Sequence, residues 1–101
     1  MKKYRITPRA KEDLLNIGQY TLTRWGKDQR NRYLKQLEMR FDWLLNNALM
    51  GKHRTDIQEG FYVFPHEEHL IFYLIQAEGI DIIGIPHKQM DIQTHFKEDL
   101  H

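Results

Sequence analysis

The stretch TPRAKEDLLNIGQYTLTRWGKDQRNRYLKQLEMRF, residues 7–41, decides the fold. Thr7-Pro8 is a helix start. A threonine hydroxyl caps free backbone N–H groups, and a proline at the first helical position gives up only an N–H that has no partner there. From that start Ala10, Leu14, Ile17, Thr21 and Trp25 recur at helical spacing, as one face of a helix. Tyr20 lies on or beside this stripe, and aromatics at such spacing are read as core. Gly26 suits the position that stops a helix. Asp28 then reads as the N-cap of a second helix. Its stripe is Tyr33, Leu37, Phe41, Leu44 and Ala48, widened by Leu34 and Leu45, and it breaks near Asn46-Asn47 and Gly51. Two amphipathic helices joined by about three residues make an antiparallel hairpin.

Working outward, residues 2–7 alternate, with Tyr4 and Ile6 facing one way and Lys3 and Arg5 the other, which predicts a strand. Downstream, Gly60 precedes Phe61-Tyr62-Val63-Phe64, and Pro65 is expected to end that run. Glu67-Glu68 mark a turn, residues 69–75 are β-branched and aromatic, and Glu78-Gly79 turn into residues 80–85. These segments read as an antiparallel meander. Their near-continuous apolarity predicts central strands with the helices on one face. The tail, Met90 to Leu100, is expected to form a short helix. The predicted fold is therefore α+β, ordered β-α-α-β-β-β: an N-terminal strand, then a two-helix hairpin packed on an antiparallel sheet.

Composition limits the function. The chain has 101 residues, 41% of them hydrophobic and 12% aromatic, enough for one cored domain over 1–101. With no cysteine it has no disulfide scaffold, thiolate zinc site or cysteine nucleophile. The apolar runs fall well short of the roughly 20 residues of a membrane span. The N-terminus has no apolar signal region, so the expected compartment is the cytoplasm. Residues 1–54 carry 13 Lys and Arg against 5 Asp and Glu, a balance of +8, and residues 55–101 carry 2 against 9, a balance of −7. That asymmetry means either a one-signed interaction surface or basic helices that neutralise an acidic sheet half. The pI of 8.0 is below the ~9 usual for a nucleic-acid-binding domain.

No P-loop, nucleophile elbow, HExxH or zinc-finger pattern is present. His66 and His69 flank a predicted turn, where their side chains diverge, and read as solvated turn residues in preference to a metal pair. His87 follows Pro86 at a strand exit. It is placed either to act as an acid or base near neutral pH or, the favoured reading, to bond Asp91 and anchor the tail. Lys52, His53 and Arg54 form a basic cluster that can meet phosphates or simply face solvent.

These residues form a family pattern. Tyr4, Ala10, Asp13-Leu14, Ile17, Tyr20-Thr21, Trp25-Gly26, Gln29, Tyr33, Leu37 and Phe41 resemble the helical hairpin of ParE toxins, in the RelE/ParE superfamily. Gly51, Arg54, Gly60, Phe64, His69, Ile71, Tyr73, Ile80, Ile82-Ile83, His87 and Met90-Asp91 resemble their sheet and C-terminal signature. The resemblance runs from about Tyr4 to Asp91. It implies a bacterial type II toxin with a ParD-like antitoxin from the same operon and DNA gyrase as target. The superfamily also holds ribosome-dependent mRNA endonucleases, for which His87 and Arg54 are the only residues that carry over as an active site. Many relatives carry an arginine where this chain has Gly84, and the central strands contain no Arg or Lys. Phosphodiester chemistry needs concentrated positive charge, so the resemblance favours a non-enzymatic toxin, without metal or cofactor and without sequence-specific nucleic-acid binding of its own. Its implied target contacts are His87, Lys88, Met90, Asp91 and Phe96. Met90 and Phe96, the main apolar residues of an otherwise polar tail, also read as tethers of that tail to the sheet or to a partner. The implied antitoxin surface is the hairpin with an adjacent sheet edge, using Arg30, Arg32, Lys35, Arg40 and Trp25.

Overall fold

Thr7 and Gly26 bound the first helix as the sequence predicts. In the computed structural model, which describes residues 2–97, β1 (Lys3–Ile6) leads into α1 (Pro8–Trp25). The Thr7 side chain accepts from the Ala10 N–H, and the Gly26 N–H returns to the Leu22 carbonyl. Gly26 has φ 89°, a left-handed conformation that costs glycine least. It closes α1 and opens α2 (Lys27–Asn46) at once. The connection is therefore one residue long, not about three. Asp28 does not cap: it lies in the first turn of α2, where its carboxylate complements the helix dipole.

A 3₁₀ turn (Ala48–Met50) leads to β2 (Lys52–His53), β3 (Tyr62–His66), β4 (His69–Gln76), β5 (Gly79–Gly84) and a single turn of helix, α3 (Ile92–His95). The sheet order is β1-β5-β4-β3-β2. The meander is antiparallel as expected, and β1 completes it by pairing parallel to β5, Lys3 opposite Gly79 and Ile6 opposite Ile82. Pro65 does not end β3. It pairs in register with Leu70, whose own N–H goes to the Pro86 carbonyl. On the other side β2 reaches only Val63 and Tyr62, so Pro65 faces an open edge where its missing N–H breaks no ladder bond. The second hairpin turns at Ala77-Glu78, with Gly79 already in β5.

The hairpin packs on one sheet face, as predicted. Ala10, Ile17, Leu37, Phe41 and Leu44 meet Ile71, Tyr73, Ile80, Ile82 and Ile85, with Leu14 only half-buried at the margin. Trp25 departs from the predicted core stripe: it is the last residue of α1 and is 68% exposed. The opposite face has its own cluster of Phe61, Val63 and Phe72, covered by Phe96 and Ile92 from the C-terminal segment. The predicted tail helix is present but short, and the Leu100 end predicted for it lies outside the described residues.

Candidate functional site

Three residues assigned to different partners by the sequence line one cleft. Trp25 ends α1, Arg32 lies on α2, and His87 follows β5. The cleft between them, about 570 Å³, is also lined by Tyr20, Tyr33 and the β3–β4 turn with His69. That turn has two residues, because His66 pairs with His69. So short a loop forces Glu67 to φ 53°, and it presents Glu67 and Glu68 at the rim.

The polar interior is ordered by Tyr33. Its hydroxyl reaches the His66 carbonyl at 3.3 Å and lies 2.7 Å from Nδ1 of His69. The phenol has one proton and two neighbours that can take it, the His66 carbonyl and, in the tautomer unprotonated at Nδ1, His69. Burial, with smaller repulsions from His87 and His66, pushes His69 down to about 4, so the ring stays neutral at physiological pH. Burial pushes Tyr33 up to about 12, so its hydroxyl stays protonated.

His87 packs edge-on to His69, ring centroids 5.4 Å apart. Its Nδ1 accepts the Gln89 N–H at 3.2 Å, and its Nε2 faces Glu68 at 4.0 Å. The expected bond to Asp91 is replaced by this one. Asp91 instead caps α3, accepting from the Gln93 and Thr94 amides and the Thr94 hydroxyl, which holds its carboxyl below the usual range.

The other target-contact residues divide. Lys88 is exposed, its N–H bonded to the Glu68 carbonyl, and Met90 is 46% exposed, so Met90 does not tether the tail to the sheet. Phe96 is 0% exposed and is no surface residue in this conformation. It is the tether.

Nor do the hairpin cations form one patch. Arg32 bonds Gln29 at the cleft and Lys35 is exposed, but Arg30 bonds Asn31 and lays its stem near Gly18, toward α1. Arg40 stacks on Trp43 and Phe64, guanidinium carbon 5.0 and 5.2 Å from the ring centres. Its Nε and the nearby Nε2 of His66 are buried without hydrogen-bond partners. Burial and the Arg40 charge lower His66 from its ordinary value.

Arg54 and His87 are not brought together. The Arg54 N–H bonds the Phe61 carbonyl at the start of β3, while His87 bridges to His69 beyond its end. Five residues of strand separate those points, about 17 Å. The Arg54 guanidinium is held by both oxygens of Asp56, at 2.8 and 2.7 Å. No group of three His, Cys, Asp or Glu side chains among the described residues is arranged to hold a metal. No helix among them is long and apolar enough to cross a membrane.

The helical periodicity placed Trp25 in the core stripe, although the resemblance gave it to the antitoxin surface; His69 read as a solvated turn residue, and Tyr33 entered the apolar stripe and the family pattern without a role in a site. The signal for the cleft was present in Tyr33, whose hydroxyl needs a partner when buried.

Comparison with known proteins agrees with this architecture. The family described as "ParE toxin of type II toxin-antitoxin system, parDE" matches residues 4–92. The chain is 32% identical to Toxin ParE1 of Mycobacterium tuberculosis (strain H37Rv) over 94 residues, covering 92% of this chain and 96% of that protein. It is 30% identical to Toxin ParE1 of Caulobacter vibrioides over 95 residues, covering 94% and 98%. A chain of a solved structure titled "Chromosomal ParDE TA system from P. aeruginosa" shares the fold, with a TM-score of 0.74 at 18% identity, over 86% of this chain and 96% of that one. The chain belongs to the ParE family of type II toxin–antitoxin toxins.

Proposed function

We propose that this toxin acts in the cytoplasm by binding a protein, DNA gyrase, and that a ParD-like antitoxin neutralises it by occupying the same cleft. The observation that carries this reading is the convergence of Trp25, Arg32 and His87 on one concave surface. An antitoxin segment seated against the first two also covers the third, so it excludes the target by occupancy alone. Exposed Trp and Arg at the edge of a concavity are the residue types that anchor protein interfaces. The reading requires no metal, cofactor or bond-making step.

Endonuclease chemistry is the less favoured reading. Strands β3, β4 and β5 contain no Arg or Lys, and Arg54, the one cation that carried over, is ion-paired to Asp56 far along the sheet from His87. A neutral His69 beside His87 does not supply the positive charge that a phosphodiester transition state needs.

The test is a supercoiling assay with gyrase, relaxed plasmid and ATP, run beside translation of a reporter message. Supercoiling is expected to fall with added toxin and to recover with the antitoxin from the same operon, while the message stays intact. Cleaved message with normal supercoiling would overturn the proposal.

A further inference from the structure

The cleft carries charge of both signs, and the chain does not pair them with each other. Arg32 bonds the Gln29 side chain one turn back on α2, a neutral amide at 3.1 Å. Glu67 and Glu68 stand at the rim on the β3–β4 turn, both exposed. Glu68 has Nε2 of His87 at 4.0 Å, beyond hydrogen-bond reach, and 70% of its side chain is exposed. The backbone beneath the two carboxylates is pinned. Tyr33 meets His66 and His69, the residues on either side of the turn, at 3.3 and 2.7 Å. The Glu68 carbonyl accepts the Lys88 N–H at 2.9 Å. Arg32 directly precedes Tyr33, so one tyrosine links the helix that carries the cation to the turn that carries the anions.

We propose that the cleft selects an antitoxin segment that carries a lysine or arginine as well as a carboxylate, the cation seated on Glu67 and Glu68 and the carboxylate on Arg32. This deepens, and rests on, the reading that the antitoxin occupies this cleft.

A segment that fills the cleft drives water from its walls. Charges that lose water without gaining a partner are costly, and like charges brought together are costlier still. A purely acidic segment satisfies Arg32 and is repelled by the turn. A purely basic segment satisfies the turn and is repelled by Arg32. A neutral segment leaves both signs unpaired. Only a segment with both signs, in the order that the cleft presents them, pairs every charge. Trp25 and Tyr20 add affinity without choosing a sign, because an aromatic wall accepts any apolar side chain. The +8 half of the chain attracts acidic segments in general. The turn glutamates narrow that attraction, because they repel any segment whose charge is acidic throughout.

The experiment measures the affinity of the full chain for the antitoxin from the same operon by calorimetry, with a melting curve for each variant. In Glu67→Gln/Glu68→Gln the affinity is expected to fall at least about tenfold, as when charge pairs across an interface are removed. Glu59→Gln/Glu78→Gln removes the same charge at exposed positions outside the cleft and is expected to leave affinity unchanged. In Glu67→Lys/Glu68→Lys binding is expected to be lost, and changing one lysine or arginine of the antitoxin to glutamate is expected to restore it. Affinity unchanged or raised in the double glutamine variant, an equal fall in the control, or no rescue by any lysine or arginine of the antitoxin would overturn the charge selection. The reading beneath it fails separately. If Trp25→Ala leaves affinity unchanged, the antitoxin lies outside the cleft and the selection falls with that reading. Affinity lost in Trp25→Ala but kept in Glu67→Gln/Glu68→Gln would leave the cleft as the binding site and strike only the charge selection.

Discussion

The Tyr33 hydroxyl holds Nδ1 of His69 at 2.7 Å, and this contact joins the helical hairpin to the sheet at the floor of the cleft. The phenol also reaches the His66 carbonyl at 3.3 Å, so one side chain of α2 meets both ends of the β3–β4 turn.

Stability should depend on His69 in acid. Its unfolded value is near 6.5 and its folded value about 4. The folded state therefore binds fewer protons between those values, and the unfolded state is favoured as pH falls through that window. This stability is fully present above about pH 6.5 and is lost progressively toward pH 4. Lowered His66 acts in the same direction. Denaturant midpoints measured from pH 7.5 to 4 should fall, and His69→Gln should flatten the curve. An equal slope in the variant would assign the acid sensitivity to other groups.

Leu37 is 0% exposed between the hairpin and the sheet. Leu37→Ala should cost about 2–5 kcal/mol, because the rigid surroundings leave most of the cavity open. Urea unfolding reads this directly, and an unchanged midpoint would contradict the packing of α2 on the sheet.

Most of this frame was legible in the sequence. Thr7-Pro8 and Gly26 are local signals with local causes, and the Leu37, Phe41 and Leu44 stripe reports burial along one helix. What was not legible depends on distant partners. The two residues of β2 have no pattern of their own and become a strand only by lying opposite Val63 and Tyr62. Trp25 continues the stripe of α1 in sequence, but it ends the helix at the rim of the cleft and stays exposed. Pro65 is tolerated because β2 is short, which Pro65 itself does not encode. The burial of Phe96 depends on the absence of a side chain at Gly84, a relation between residues on separate elements.

The hairpin cations should separate into two kinds. Arg32, at the cleft, should steer an acidic antitoxin segment, so the association rate should fall steeply with salt and fall again in Arg32→Ala. Trp25→Ala should weaken the complex about tenfold or more, as loss of an interface anchor does. Arg40→Ala should leave the association rate nearly unchanged and instead lower stability by about 1 kcal/mol, because its guanidinium lies over Trp43 and Phe64. Stopped-flow mixing at two salt concentrations, with a melting curve for each variant, reads both effects. A rate indifferent to salt would make the +8 half a solvated surface only.

The C-terminal segment should be needed for toxicity but not for antitoxin binding. Truncation after Asp91 removes Phe96 and uncovers Phe61 and Phe72, yet it leaves Trp25, Arg32 and His87 in place around the cleft. The truncated chain should therefore still bind its antitoxin through the cleft, and it should fail to inhibit gyrase because, on the proposed reading, the target contact extends from His87 into the C-terminal segment that is lost. A melting curve must accompany the assay, because the exposed aromatics also lower stability. His87→Ala should weaken inhibition only a few-fold: the ring packs on His69 and faces Glu68, which shapes the cleft wall. An endonuclease would behave in the opposite way, since a general acid or base contributes about 10²–10⁴-fold and its loss should remove nearly all activity. Growth arrest by the two variants, side by side, decides the matter. A fully toxic truncation paired with an inactive His87→Ala would replace the binding mechanism with a catalytic one.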